Sequence, residues 1–73
     1  MFNPGDIVRI TKDTHSLCCS SIFSPGDVFQ VEKLCNKHVK KYQISILRDV
    51  KYCHFVRLTT NNCVKIGEVN ASV

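Results

Sequence analysis

Histidine and cysteine side chains recur in this chain at spacings that suit metal ligands. His15 precedes Cys18 by three positions, and Cys35 precedes His38 by the same interval. Two ligand pairs of this kind, separated by an intervening stretch, are typical of tetrahedral zinc sites. Neither pair lies in a glycine-containing knuckle, and cysteine is commonly a small buried apolar residue. We therefore favour ordinary thiols and loop histidines over structural zinc, and predict no bound metal and no cofactor.

A cysteine–histidine catalytic pair is the second chemistry to consider. Cys53 and His54 are neighbours in a predicted strand, so their side chains point to opposite faces and do not act on each other. The sequence also shows no paired carboxylates, glycine-rich phosphate loop or serine triad motif. Because 73 residues leave little room for a deep, water-free pocket, we predict that the protein is not an enzyme.

Basic residues cluster in the middle of the chain, and the formal net charge of +4 favours acidic partners. By strand alternation Phe55 falls on the face opposite Val56, which makes it the candidate for an exposed apolar anchor. Phosphate groups or acidic protein segments are both suitable ligands for such a surface. The predicted partner-binding residues are Arg9, Lys37, Lys40, Lys41, Arg48, Lys51, Phe55 and Arg57.

Five short strands must position these residues. They are predicted over about 6–11, 27–35, 41–48, 51–59 and 64–66, with Asp49 and Val50 forming a turn. In each strand the apolar residues alternate, so that Val8, Ile44 and Val56 point into a core. No segment shows a sustained helical period. The pattern predicts one all-β domain over residues 1–73, a small barrel over about 2–67 with a frayed tail at 68–73.

Two segments, Phe2–Val8 and Phe23–Phe29, begin alike, with an aromatic residue, a polar residue, Pro-Gly, Asp and then a β-rich run. Pro-Gly suits the central positions of a type II turn, so each segment is predicted to be a tight turn that leads into a strand. The long polar connection between the first two strands, residues 12–24, is predicted to be either functional or disordered, with one of Leu17 and Ile22 packed on the barrel and the other free for a partner.

The amino-acid composition indicates the class of protein and the cellular compartment in which it is expected to act. Hydrophobic residues make up 44% and charged residues 22%, which is typical of a globular domain. The five cysteines are odd in number, and no secretion signal or apolar membrane span is visible. We therefore expect free thiols, a cytoplasmic location, no membrane contact and a monomer.

The opening Pro4–Ile10 and the hairpin formed by Tyr42–Ile46 and His54–Leu58 resemble small SH3-like and KOW-type barrels. That resemblance implies an SH3-like barrel of about five antiparallel strands with a long first loop. It also implies contact with RNA or RNA polymerase, as in many KOW-type domains. The compact, cysteine-containing chain is similar to small bacteriophage proteins that bind host RNA polymerase.

These resemblances imply a non-enzymatic, phage-encoded regulator that binds host RNA polymerase through a protein–protein interaction and modulates transcription. Such a protein would act in the host cytoplasm. Two alternatives stay open at this point. One is a KOW-like module that binds RNA or DNA directly, and the other is a zinc-stabilised adaptor built on His15, Cys18, Cys35 and His38.

Overall fold

The computed structural model describes residues 1–46 and 49–69, with the side chains of residues 46–53 left undescribed. Over these residues the chain forms seven β-strands and no helix, which confirms the predicted all-β class. Among them, therefore, no helix is long and apolar enough to cross a lipid bilayer. The strands are β1 (Asp6–Ile10), β2 (Thr14–His15), β3 (Ile22–Phe23), β4 (Val28–Asn36), β5 (Lys41–Ile46), β6 (Asp49–Arg57) and β7 (Cys63–Glu68).

Five strands form one antiparallel sheet in the order β6-β5-β4-β1-β7, and β2 pairs with β3 in a separate hairpin. The five predicted strands are all present, whereas the β2–β3 hairpin lies inside the predicted loop. Asp49 and Val50, predicted as a turn, instead begin β6, where Asp49 pairs with Ile46. At the other end, β7 extends through Glu68, and the Val69 amide donates to the Gly5 carbonyl at 2.7 Å.

The two Pro-Gly segments form the predicted turns. Gly5 and Gly26 have φ angles of 92° and 99°, a region in which a side chain is strained. Asp6 and Asp27 close the turns, because each donates its amide to the carbonyl three residues earlier at 3.0 and 3.1 Å. Each aspartate carboxylate also accepts the amide of that earlier residue at 2.8 Å. The same local chemistry therefore starts both β1 and β4.

The core lies on one face of the sheet, and the β2–β3 hairpin adds Phe23 to it. Strand alternation predicted most of its members, since antiparallel partners share a face. Ser45 differs from the prediction, because it is only 1% exposed although it was expected to point to solvent. Its hydroxyl donates to the Glu32 carboxylate, which satisfies the buried oxygen. The buried apolar residues are Val8, Ile10, Phe23, Phe29, Val31, Tyr42, Ile44, Val56, Leu58 and Cys63.

Candidate functional site

A loop of six residues, 16–21, joins β2 to β3 and brings the candidate chemistry to the sheet. Thr14 pairs with Phe23, and both side chains are buried, so the hairpin packs one face on the core.

Main-chain hydrogen bonds hold the loop in place. The Ser16 amide continues the ladder of the hairpin by donating to the Ser21 carbonyl at 2.9 Å. The Leu17 amide then donates to the Phe55 carbonyl of β6 at 2.6 Å. This segment, here called the thiol loop, is thus attached to β6 by a main-chain hydrogen bond.

The thiol loop places two cysteines beside a histidine of β6. Cys19 Sγ lies 3.6 Å from His54 Nδ1, and Cys18 Sγ lies 3.9 Å from the same nitrogen. These three ligand atoms all lie within 4.8 Å of one another. Both cysteines are exposed and His54 is half-buried. We call this group the Cys-Cys-His cluster.

Packing fixes the orientation of the histidine ring. His54 pairs with Ile44 across β5 and β6, so it extends from the core-facing side of the sheet. Its ring meets the Phe23 ring edge-to-face with centroids 5.2 Å apart, and Phe23 packs in the same way on Phe29 at 4.7 Å. The imidazole ring therefore packs between the β2–β3 hairpin and the five-stranded sheet, and its Nδ1 atom faces the two thiols.

Serine hydroxyl groups lie beside both thiols, and they favour the ionised form of Cys19. Ser16 Oγ lies 3.2 Å from Cys18 Sγ, and Ser21 Oγ lies 3.3 Å from Cys19 Sγ. Hydrogen bonds from the Ser16 side chain and then from Ser21 lower the pKa of Cys19 to about 6, with a smaller contribution from His54. Burial has the opposite effect on Cys63 in the core, where it raises the pKa to about 11.

Cys19 is expected to react with iodoacetamide at pH 7, and Cys63 is expected to stay unmodified. The thiolate is the nucleophile, and it predominates for Cys19 above about pH 6 but for Cys63 only near pH 11. Peptide mass mapping after brief labelling in EDTA measures both sites, and labelling in denaturant controls for the chemistry of each peptide. Equal labelling rates in the native protein would contradict the assigned environments.

The four residues of the alternative zinc site, His15, Cys18, Cys35 and His38, do not gather. Within the described side chains, the one group of three or more ligand residues is the Cys-Cys-His cluster, and of those four it includes only Cys18. His15 faces solvent because Thr14, its neighbour on β2, faces the core. Cys35 and His38 are exposed at the end of β4 and in the turn that follows. That four-residue site is therefore wrong.

Sequence reasoning missed the partnership of Cys19 with His54. The Cys18–Cys19 doublet in a long loop was the available signal, but nothing local shows that this loop reaches β6. Leu17 in the thiol loop and Ile22 in β3 are 46% and 55% exposed, so the expectation that one of them would pack on the barrel is also wrong. Ile22 alternates with the buried Phe23 and so faces outward.

The outer face of β5 and β6 carries part of the predicted partner surface. Lys41 lies directly opposite Arg57, and Phe55 lies opposite Gln43 two residues away. Lys41 Nζ stands 5.1 Å from the centroid of the Phe55 ring, a cation–π contact. The turn between β4 and β5, which leads into Lys41, carries two more exposed lysines, Lys37 and Lys40, and Lys40 borders a cleft with Tyr42 and Leu58. The basic strip consists of Lys41, Phe55 and Arg57 on the outer face, with these two turn lysines at its end.

The other predicted partner residues are not part of this strip or are not described. Arg9 lies opposite Val28 at the start of β4, whereas Lys41 pairs with Asn36 at its end, and β4 separates the two strands. Arg9 is thus at the opposite end of the sheet, away from the strip. Arg48 lies outside the described residues, and of Lys51 only the backbone, in β6, is described.

Comparison with known proteins identified no relative of this chain. No family model, no curated protein and no solved structure matches this chain. The resemblance to SH3-like and KOW-type domains therefore stays a prediction, carried by short sequence motifs. The candidate functions of the chain therefore rest on two of its own surfaces, the Cys-Cys-His cluster and the basic strip.

Proposed function

We propose that this chain is a non-enzymatic binding module that docks an acidic, partly apolar segment of a larger protein on the basic strip. The supporting observation is the direct opposition of Lys41 and Arg57 on β5 and β6. Like charges directly opposite each other destabilise a sheet. An acidic partner would remove that repulsion on binding, so the arrangement is more favourable in a complex than in the free protein.

The described residues do not neutralise these charges internally. Both ion pairs found among them belong to Lys65, which contacts Asp6 at 3.2 Å and Glu68 at 3.3 Å. Arg57 is exposed, and the contact found for the Lys41 ammonium is the Phe55 ring. Cations without internal carboxylate partners attract a negatively charged ligand and speed its association at low salt.

The surroundings of Phe55 favour a protein ligand over a single-stranded nucleic acid. Base stacking needs an open aromatic face, and Phe55 is half-buried with Lys41 over its ring. Val39, in the adjoining turn, is 44% exposed and adds an apolar contact next to the lysines. Apolar side chains interleaved with cations suit an amphipathic acidic segment.

Bacterial RNA polymerase is the partner we favour, on the strength of the sequence resemblances. In this proposal the chain is a phage-encoded regulator in the host cytoplasm, and it modulates transcription by occupying a surface that another protein contact needs. The small sheet suits such a steric role, because docking on its outer face requires no pocket and no rearrangement of the core.

Replacing Arg57 by glutamate is expected to weaken binding to purified bacterial RNA polymerase by roughly tenfold or more, since the change reverses a charge at the centre of the strip. Arg57 is exposed, so the fold should tolerate the change. Biolayer interferometry at low and physiological salt measures the effect, with circular dichroism as the check on folding.

Lys12→Glu is the matched control, because it makes the same change in net charge at an exposed site outside the strip. It should bind almost as well as the unaltered protein. Parallel titrations with a short RNA and a short DNA duplex test the alternative function. Tight nucleic-acid binding lost in Arg57→Glu, with no binding to polymerase, would replace our proposal by the nucleic-acid module.

A further inference from the structure

The spacing of ligand atoms in the Cys-Cys-His cluster matches a tetrahedral zinc ion. Zinc binds sulfur at about 2.3 Å and imidazole nitrogen at about 2.0–2.1 Å, so a tetrahedral angle separates the two ligand atoms by about 3.6 Å. Cys19 Sγ and His54 Nδ1 are 3.6 Å apart, and Cys18 Sγ is 3.9 Å from the same nitrogen. The two sulfurs lie within 4.8 Å of each other, whereas a tetrahedral zinc ion holds two sulfurs about 3.8 Å apart, so an ion fits between the three ligands after side-chain shifts of at most about 1 Å.

The ligand types select the class of metal. Two thiolates and one imidazole favour a thiophilic ion over magnesium or calcium, which require oxygen ligands. Two sulfurs and one nitrogen from the protein, with a fourth position for water, make up a known zinc coordination set. Cys18 and Cys19 are exposed, so the fourth position faces solvent.

The surroundings hold these ligands before any ion arrives. Phe23 packs against the imidazole ring, and the main-chain bond from Leu17 to Phe55 fixes the thiol loop on β6. Ser16 and Ser21 lie within hydrogen-bond reach of the two sulfurs, as outer groups do around metal-bound thiolates. A pre-organised site loses less conformational entropy when it binds its ion.

We propose that Cys18, Cys19 and His54 bind one Zn²⁺ through two thiolates and Nδ1, with water as the fourth ligand. Zn²⁺ binds both cysteines as thiolates, so any proton still on either sulfur is released to solvent, and no oxidation or reduction takes place. The site is independent of the basic strip. It differs from the pairing suggested by the His15 and Cys35 motifs, because it takes its imidazole from β6.

Native mass spectrometry of the full chain with equimolar Zn²⁺, under reducing conditions, tests the stoichiometry. We expect one bound ion. Titration with Co²⁺ tests the ligands, because thiolate coordination produces an intense near-ultraviolet charge-transfer band. In the Cys18→Ser/Cys19→Ser variant the band should vanish. In His54→Gln the affinity should fall by more than about 100-fold, since even the loss of an outer-shell group costs 10–100-fold.

Cys35→Ser and His15→Gln are the matched controls, because each removes an exposed ligand-type residue outside the cluster. Both should keep the stoichiometry and the band. The absence of zinc from the unaltered protein would overturn the proposal, as would a band that survives in the double serine variant. Loss of the band in Cys35→Ser would assign the metal to a different site and equally overturn it. The unaltered protein is tested directly, so the result does not depend on a variant that folds.

Discussion

Replacing Ile44 by alanine is expected to leave most of the protein unfolded at room temperature. Ile44 is completely buried in β5, the strand between β4 and β6, and it pairs with Val31 on one side and His54 on the other. Truncating such a residue costs about 2–5 kcal/mol, because transfer free energy is lost and a cavity remains. The core of a domain this small supplies only about 3–5 kcal/mol in total. One substitution therefore removes most of the stability.

Urea denaturation followed by circular dichroism measures this effect. Ile44→Val removes one methylene and should cost only about 0.5–1.5 kcal/mol, which leaves a folded protein with a lower midpoint. Ile66→Ala is the exposed control. That side chain is 47% exposed on β7, so its loss should change the free energy of unfolding by no more than about 0.5 kcal/mol. An unchanged midpoint for Ile44→Ala would show that the centre of the core lies elsewhere.

The burial of Ile44 was predictable from the sequence because it depends on neighbours in the chain. Successive residues of a β-strand point to opposite faces of the sheet. Once the strand is recognised, Tyr42 and Ile44 are therefore assigned to one face and Gln43 to the other. The Pro-Gly turns are local in the same sense. A proline with its preset φ, followed by a glycine that accepts positive φ, determines the turn without help from the rest of the fold.

The basic strip was predictable only in part. Alternation placed Phe55 and Arg57 on the outer face of β6, and the loop composition indicated Lys37 and Lys40. The register between strands decides which residues stand opposite each other, and the sequence did not determine that register here. Arg9 was predicted as a partner-binding residue together with the strip, yet its register places it beside Val28.

The Cys-Cys-His cluster was not predictable, because it depends on a long-range contact. Cys18 and His54 are 36 positions apart, and the main-chain bond from Leu17 to Phe55 brings them together. Local spacing instead suggested pairing His15 with Cys18, as in motifs where both ligands come from one turn. In a β-hairpin, side-chain direction alternates, so ligand spacing typical of a knuckle does not bring the side chains together.

Saturating the chain with Zn²⁺ is expected to raise its melting temperature by roughly 10–20 °C. A ligand that binds only the native state at one hundred times its dissociation constant adds about 2.7 kcal/mol of stability. In a domain of this size each kcal/mol corresponds to roughly 4–8 °C. The shift per kcal/mol is large because the entropy of unfolding of so short a chain is small. Differential scanning calorimetry with and without Zn²⁺ measures the shift, and EDTA should reverse it.

The size of that shift also separates a built site from binding by flexible thiols. Unfolded chains with several cysteines bind zinc too, and any such binding reduces the stabilisation. A rise in melting temperature therefore requires the native arrangement to hold the ion more tightly than the unfolded chain does. His54→Gln keeps all five thiols of the sequence but loses the imidazole that β6 contributes. If Zn²⁺ raises the melting temperature of His54→Gln as much as that of the unaltered protein, His54 is not a ligand. A rise confined to proteins with His54 intact means that the ion binds where the thiol loop meets β6.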